Sequence, residues 1–500
     1  MSLGAGSSVP VNDLEALFRL AEQALDTGEE EAAIPVVRAA AERLKGPRLW
    51  HWVGLLHRSL DQHEEALAAF DQAVRISPNG PKIAQARAQT AMEAGVPSVE
   101  LFERALALAP QDGSVIVGLA AARNSVGDGE RGAAELAAVL EQAPMWTYGH
   151  EQLAQFQATL GRPQEATASL ERALGRFPKA QPLWESLLNV QLRRGAYEML
   201  RPTLDRARAA GISSPEFAIY EAVHAAQFDN VTFPAPLFHE APPSAVPHIV
   251  IWQIRHLLRV GELKALLPII DEELARNSSA EIWTYAATAW RLAGDPRSEW
   301  LEGEPRMIGV TDLGASLSRL DELAGTLRTL HGAKGEYLDQ SVRGGTQTDG
   351  PLFCRIDPII RKLRAAVVTA IEEYVLRLPA RDPSHPLLRE RRDRRVRFSG
   401  SWSVRLRSGG RHSNHVHPQG WISSALYVAL PEKTVGERDD AGWLTLGQPD
   451  DKLHLNLEPW RKIEPKPAQL VLFPSWMWHG TIPFTEGERL TVAFDVRPPL

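Results

Sequence analysis

Prolines recur at an almost constant interval in the first half of this chain of 500 residues. Steps of 32, 34 and 34 residues separate Pro78, Pro110, Pro144 and Pro178. A period of about 34 residues is typical of two-helix units that bury their apolar faces only by stacking on neighbouring units. The spacing therefore predicts an array of helical pairs.

The residues that precede two of these prolines are also similar when they are compared at equal distances from the proline. Small residues let the two helices of a unit approach closely, and a larger residue fills the groove between them. The matching positions before Pro78 and Pro178 are Ala66, Phe70 and Ala73, and Ala166, Leu170 and Ala173. With this register, the sequence resembles tetratricopeptide-repeat proteins over residues 13–226.

Patterns outside the repeats divide the rest of the chain. Residues 1–12 are predicted to be a disordered N-terminus, and residues 227–300 a proline-rich linker with degenerate helical pairs. Residues 301–395 still have helical periodicity, whereas residues 396–500 contain short runs rich in β-forming residues that are bounded by turns. Short strands without intervening helices indicate an antiparallel jelly roll. We therefore predict a multidomain chain: an all-α solenoid followed by an α+β domain with a jelly-roll core.

Composition narrows the classes of function. A net charge of −7 provides no electrostatic basis for binding nucleic acid or an anionic membrane. The single cysteine, Cys354, excludes an internal disulfide and a cysteine-rich zinc site. The sequence starts without a secretory signal, and no apolar run is long enough to span a bilayer. A cytoplasmic protein is the expectation.

Histidines in the last hundred residues carry the most specific chemical signal. His415 and His417 are two positions apart, so on a strand both imidazoles project to the same side and can reach one metal ion. A distant third histidine, His479, would complete one face of an octahedron and leave the opposite face open, as in non-haem Fe(II) oxygenases. Arg489 follows ten residues later and can pair bidentately with a carboxylate.

The stretches around these residues carry a resemblance. GSWSVRLRSGGRHSNHVHPQGWISSALYVALP, FPSWMWHG and ERLTVAFDV resemble Fe(II)- and 2-oxoglutarate-dependent oxygenases of the double-stranded β-helix fold, in their prolyl-hydroxylase-like branch. The resemblance implies Fe(II) and 2-oxoglutarate as cofactors, with His415 and His479 as metal ligands. It also implies that Arg489 and Thr491 bind the distal carboxylate of 2-oxoglutarate. A hydroxyl and a tyrosine from the strand after the first ligands are further expected contacts: Ser423 and Tyr427.

One position departs from the family pattern, because His417 stands where the family has an aspartate. We predict that His415, His417 and His479 are all ligands. A set of two histidines with His417 behind them is an alternative, as is a three-histidine dioxygenase or zinc enzyme that works without 2-oxoglutarate. His412 and His454 are expected to be surface or supporting residues.

The expected function is hydroxylation of a protein or peptide side chain that the repeat array recruits. Solenoids present long concave surfaces that suit peptide segments, so a macromolecular substrate is favoured over a metabolite. A homodimer is a further expected partner state. An alternative of a different class is a non-catalytic repeat scaffold with a vestigial jelly roll. Iron content and succinate formation would separate the two.

Overall fold

The structure is a computed structural model, in which the chain forms two compact units. One comprises residues up to Gly132 together with Gly350–Ala365, and the other comprises Ala133–Asp349 together with Ala366–Pro499. The residues that the structure describes are 13–228, 233–234, 237–276, 280–432, 434 and 436–499. The predicted disordered segment, residues 1–12, lies outside them, and so do parts of the predicted linker. The domain boundary predicted at residue 300 falls inside the second unit and stays a prediction.

Helices follow one another through most of the first 293 residues. The helices are α1 (Leu14–Thr27), α2 (Glu30–Leu44), α3 (Pro47–Ser59), α4 (His63–Ile76), α5 (Pro81–Glu93), α6 (Val99–Leu108), α7 (Gly113–Ser125), α8 (Gly129–Gln142), α9 (Thr147–Thr159), α10 (Ala168–Arg176), α11 (Gln181–Arg193), α12 (Leu200–Ala209), α13 (Phe217–Phe228), α14 (Leu237–Glu240), α15 (Val246–Val260), α16 (Leu263–Arg276), α17 (Ile282–Ala293), α18 (Leu320–Leu330) and α19 (Pro358–Arg377). Within the described ranges, no helix combines the length and apolar character that a bilayer crossing requires.

The helical pairs recur with the predicted period. The first helices of successive pairs, α3, α5, α7, α9 and α11, begin 34, 32, 34 and 34 residues apart. Within the first unit, α3 and α4 pack so closely that a Cβ on Gly54 would lie 2.5 Å from the ring of Phe70. Phe102 on α6 meets Gly118 on α7 in a similar way, between two successive pairs. Large residues thus fill grooves that small residues open, which confirms the predicted repeat packing.

The C-terminal part of the second unit contains two antiparallel sheets. The strands are β1 (Gly309–Asp312), β2 (Val342–Gln347), β3 (Phe398–His412), β4 (Ile422–Ala429), β5 (Leu444–Leu446), β6 (Arg461–Ile463), β7 (Gln469–Pro474), β8 (His479–Thr481) and β9 (Arg489–Val496). One sheet has six strands in the order β1-β7-β4-β9-β3-β2, and the other has three in the order β6-β5-β8. Their apolar faces share one cluster of buried residues: Tyr427, Leu444, Leu446, Val471, Phe473 and Met477. The predicted jelly-roll core is confirmed; in the described strands the two sheets do not join into a closed barrel.

Within the second unit, α17 packs on the turn that precedes β8. The Thr284 hydroxyl donates to the carbonyl oxygen of Trp476 at 2.8 Å, and the Trp478 indole N–H donates to the Thr288 hydroxyl at 3.0 Å. The ring of Trp478 also meets Tyr285 edge to face. Trp478 therefore buries its side chain against this helix, whereas Trp476 contacts the helix through its backbone. The turn that delivers His479 is held by these contacts.

Candidate metal centre

His415 and His479 are joined through their backbones. The amide N–H of each donates to the carbonyl oxygen of the other at 3.0 Å. His479 begins β8, and Gly480 follows it at a point where an added Cβ would overlap the side-chain oxygen of Asn414. The absence of a side chain at position 480 therefore lets the two histidine-bearing segments approach each other.

Hydrogen bonds at the rings determine which imidazole nitrogen carries the proton. His415 Nδ1 lies 2.8 Å from the carbonyl oxygen of Ser413, and His479 Nδ1 lies 3.0 Å from that of Met477. Because a carbonyl oxygen only accepts, each Nδ1 carries the proton and each Nε2 keeps its lone pair. The two rings are thus fixed in a tautomer that binds a metal through Nε2.

His417 is held by a side chain. Its Nδ1 lies 3.1 Å from Asp495 Oδ2. The other carboxylate oxygen of Asp495 accepts a hydrogen bond of 2.5 Å from the Ser423 hydroxyl. Burial raises the pKa of Asp495 to about 7. Ser423, which was predicted to contact the co-substrate, thus directs its hydroxyl to Asp495; its predicted role stays a prediction.

The structure brings the three predicted histidines together. One ring nitrogen each of His415, His417 and His479 lies within 4.8 Å of the other two. Burial lowers the pKa of His415 to about 3 and that of His417 to about 4, so both rings are neutral near pH 7, the form that binds metals. Neutral imidazoles at this spacing fit a divalent transition metal. Their role as ligands stays a prediction.

Alternate residues of β9 line the same cavity as the histidines. β9 lies between β4 and β3 in the larger sheet, and side chains two positions apart on a strand share a face. The cavity-lining residues of β9 are Arg489, Thr491, Ala493 and Asp495. The strand therefore presents a cation at its beginning and a carboxylate near its end.

Arg489 is buried without a carboxylate partner in the part of the chain that the structure describes. Only 2% of its surface is exposed, and its Nε has no hydrogen-bond partner there. Its guanidinium carbon lies 5.0 Å from the centre of the Tyr427 ring, and burial lowers the pKa of Arg489. An unpaired buried guanidinium is unfavourable. It fits an anionic ligand, as predicted for 2-oxoglutarate. The predicted co-substrate contacts of Arg489, Thr491 and Tyr427 stay predictions.

The other two histidines of this region differ in position. His412 lines the cavity, whereas His454 does not. The Ser341 hydroxyl lies 3.0 Å from His412 Nδ1 and 3.1 Å from His415 Nε2. His412 is therefore placed as a supporting residue, one of the two roles expected for it.

Comparison with protein families agrees with both parts of this architecture. Residues 400–495 match the family described as "Putative 2OG-Fe(II) oxygenase", and residues 47–79 match the tetratricopeptide repeat. The chain carries a domain of this oxygenase family and a tetratricopeptide repeat. No curated protein matches the sequence.

Several solved structures are similar to part of this chain. MamA from Desulfovibrio magneticus RS-1 is 16% identical, with a TM-score of 0.29 over 33% of this chain and 96% of that one. A thermophilic TPR protein from Thermus thermophilus is 18% identical, with a TM-score of 0.27 over 36% and 98%. A prolyl-4-hydroxylase from Pseudomonas putida is 16% identical, with a TM-score of 0.27 over 38% and 92%.

Sequence patterns alone missed two polar residues of the centre. Asp495 continues the two-residue alternation that starts at Arg489 and Thr491, so extending that alternation would have found it. Ser341 has no comparable local signal. It reaches the cavity because β2 begins beside it and pairs with the end of β3, where Val342 lies opposite His412.

Proposed function

We propose that this chain is an Fe(II)- and 2-oxoglutarate-dependent oxygenase. The observation that carries the proposal is that one cavity contains both a cluster of histidines and a buried guanidinium. Three histidine nitrogens lie within 4.8 Å of one another, and a buried guanidinium that lacks an anion among the described residues lines the same cavity. A metal-chelating keto acid would satisfy both sets of groups at once.

The side chains of the cavity have separable tasks in this proposal. His415, His417 and His479 hold Fe(II), and Arg489 binds the distal carboxylate of 2-oxoglutarate with its planar fork of donors. When bound, Fe(II) and 2-oxoglutarate would supply the electrons that activate O₂ for attack on a C–H bond. Trp402 and Phe473 also line the cavity; their rings exclude water from it and so strengthen the charge pairing of Arg489.

The proposed substrate is a protein or peptide side chain that is recruited by the helical repeats. Repeat arrays bind extended segments along a continuous surface, and this chain carries such an array together with the oxygenase domain. Hydroxylation is the proposed reaction. Cytoplasmic location and homodimer formation stay predictions.

A second candidate is favoured by one observation: the clustered ligand atoms include no carboxylate. Three imidazoles without a carboxylate also serve dioxygenases that use no keto acid, and hydrolytic zinc sites. In such an enzyme Arg489 would have no anionic co-substrate to bind. The buried guanidinium therefore favours the first proposal.

The experiment that tests the proposal measures iron content and the conversion of 2-oxoglutarate to succinate in the full-length protein. We expect stoichiometric Fe(II) and O₂-dependent succinate formation. Both should be lost in His415→Ala and retained in His454→Ala, because His454 lies outside the cavity. A protein without iron would support a vestigial scaffold. Iron binding without any use of 2-oxoglutarate would support the second candidate.

A further inference from the structure

Asp495 is a buried carboxylate at the edge of the histidine cluster. Only 7% of its surface is exposed. In register, it lies opposite Ser423 on β4, whose hydroxyl donates to Oδ1 at 2.5 Å. Oδ2 lies 3.1 Å from His417 Nδ1. The two oxygens of the carboxylate thus face one hydroxyl and one imidazole.

His417 has contacts with other residues besides this carboxylate. Its amide N–H donates to the Ser475 carbonyl at 2.9 Å. Gly420 closes the turn that follows, where an added Cβ would lie 2.5 Å from the Ser475 hydroxyl oxygen. The ring of Trp402 lies 5.6 Å from that of His417, centre to centre. These contacts hold the backbone of His417, and its ring lies beside Trp402 with Nδ1 at Asp495.

Asp495 also lacks a permanent cation. Within the described ranges, Asp495 pairs with the neutral imidazole of His417, and no lysine or arginine pairs with it. A buried carboxylate without a compensating charge is unfavourable. A metal ion bound to the opposite side of the His417 ring would provide that charge.

We infer that Asp495 is a positioning residue for the metal. It holds His417 with Nδ1 directed at the carboxylate and Nε2 directed at the metal, and it adds negative charge through the imidazole to a ligand set made of neutral rings. The inference rests on the proposed function, because it requires that these histidines bind a metal. A carboxylate behind a metal-bound histidine fixes the tautomer and increases the basicity of the ligand.

The same geometry explains how this centre can lack a coordinating aspartate. In the family pattern the position of His417 is an aspartate, which would place a negative charge directly on the metal. In this chain the carboxylate stands one imidazole further away, on a different strand. Asp495 would then supply, through the His417 ring, the negative charge that the family's aspartate supplies directly.

The test is metal affinity, measured anaerobically by competition between full-length protein and a chelator for Fe(II), without 2-oxoglutarate. Asp495→Asn keeps the shape of the side chain and removes its charge, and we expect affinity to fall by about 10- to 100-fold. The matched control is Glu302→Gln, which neutralises another buried carboxylate of the same unit that does not line the cavity. Its affinity should equal that of the wild type.

A second arm separates positioning from general support of the fold. If Asp495 acts through the imidazole of His417, Asp495→Asn should cost little further affinity in a His417→Asp background, where a carboxylate that can itself bind the metal replaces the ring. An equal loss in both backgrounds would overturn the inference, and so would an unchanged affinity in the single variant. If Asp495→Asn does not fold, Ser423→Ala replaces it, since that variant removes the hydroxyl that orients the carboxylate; undiminished affinity there would also overturn the inference. A wild type that binds no metal would instead remove the proposed function itself.

Discussion

The recurrent buried positions of the helical repeats differ from the buried residues of β9 that line the cavity. In the repeats, positions such as Ala66, Phe70 and Ala73 are buried and apolar, and burying them stabilises the fold directly. In the sheet core, Arg489 and Asp495 are almost equally buried, although burial of such groups opposes folding. The repeat positions stabilise the fold, whereas the burial of Arg489 and Asp495 is a cost that the proposed ligands would compensate.

A glycine allows two segments to approach closely in each region, but the result differs. Gly54 lets two helices pack around Phe70, so the gain is apolar contact. Gly480 lets the segments of His415 and His479 pair, so the gain is the position of two rings that we propose bind the metal. Substitutions in one region should therefore change stability, and substitutions in the other should change ligand binding.

The largest expected effect is on the metal. His415→Ala or His479→Ala should abolish stoichiometric Fe(II) binding, because two imidazoles at most remain. The backbone pairing of these residues does not depend on their rings, so the helical circular dichroism signal should be unchanged. Iron is measured by elemental analysis after anaerobic reconstitution. Retention of full iron content by both variants would contradict the assignment of the centre.

The next effect should appear in stability alone. Phe70→Ala removes a completely buried ring and should lower the free energy of unfolding by about 3–5 kcal/mol. Its control is Phe177→Ala, which removes a ring that is 40% exposed and should change stability by less than about 0.5 kcal/mol. Chemical denaturation followed by circular dichroism measures both. A large loss of Fe(II) affinity in Phe70→Ala would contradict the expectation that substitutions in the repeats change stability and not metal binding.

Arg489→Ala should act on co-substrate binding without destabilising the fold in proportion. Removing one partner of a desolvated charge pair costs about 2–5 kcal/mol, which raises the dissociation constant about thirty- to several-thousand-fold. Arg489→Lys should recover only part of this, because an ammonium group lacks the planar fork. Calorimetric titration of 2-oxoglutarate into the Fe(II)-loaded protein measures the constant.

The control for this variant is Arg405→Ala. Arg405 lies on the neighbouring strand, opposite Leu490, and its side chain pairs with Glu488. Removing it should leave 2-oxoglutarate affinity within about twofold of the wild type, since partly exposed ion pairs contribute little. Equal losses in the two variants would show a general electrostatic effect instead of a specific anchor.

The smallest expected effect is at the contact between α17 and the turn before β8. Thr288→Val removes the acceptor of the Trp478 indole N–H and should lower stability by about 1–3 kcal/mol, because a buried donor is left unsatisfied. Adding Trp478→Phe removes that donor, so the double variant should lose less than the two single losses combined. Additive losses would show that the hydrogen bond does not couple the two residues. Thermal unfolding measures all three variants.

Much of the fold could be predicted because its signals are periodic or local. The proline interval set the register of the helical pairs, and alternation together with turn residues indicated the strands. The histidines were found because His415 and His417 share a strand face and His479 ends an aromatic turn. Asp495 could have been found from the alternation along β9, whereas the role of Ser341 depends on pairing between strands distant in sequence. Local patterns do not encode that register directly.

The central claim is that one cavity binds both Fe(II) and 2-oxoglutarate. Its most direct test is an anaerobic titration of 2-oxoglutarate into the Fe(II)-loaded full-length protein, followed by visible absorption. Chelation of Fe(II) by the keto acid should produce a weak charge-transfer band that saturates with 2-oxoglutarate, and the band should require far higher concentrations in Arg489→Ala. Absence of the band in an iron-loaded wild type, or an identical titration in Arg489→Ala, would contradict the account.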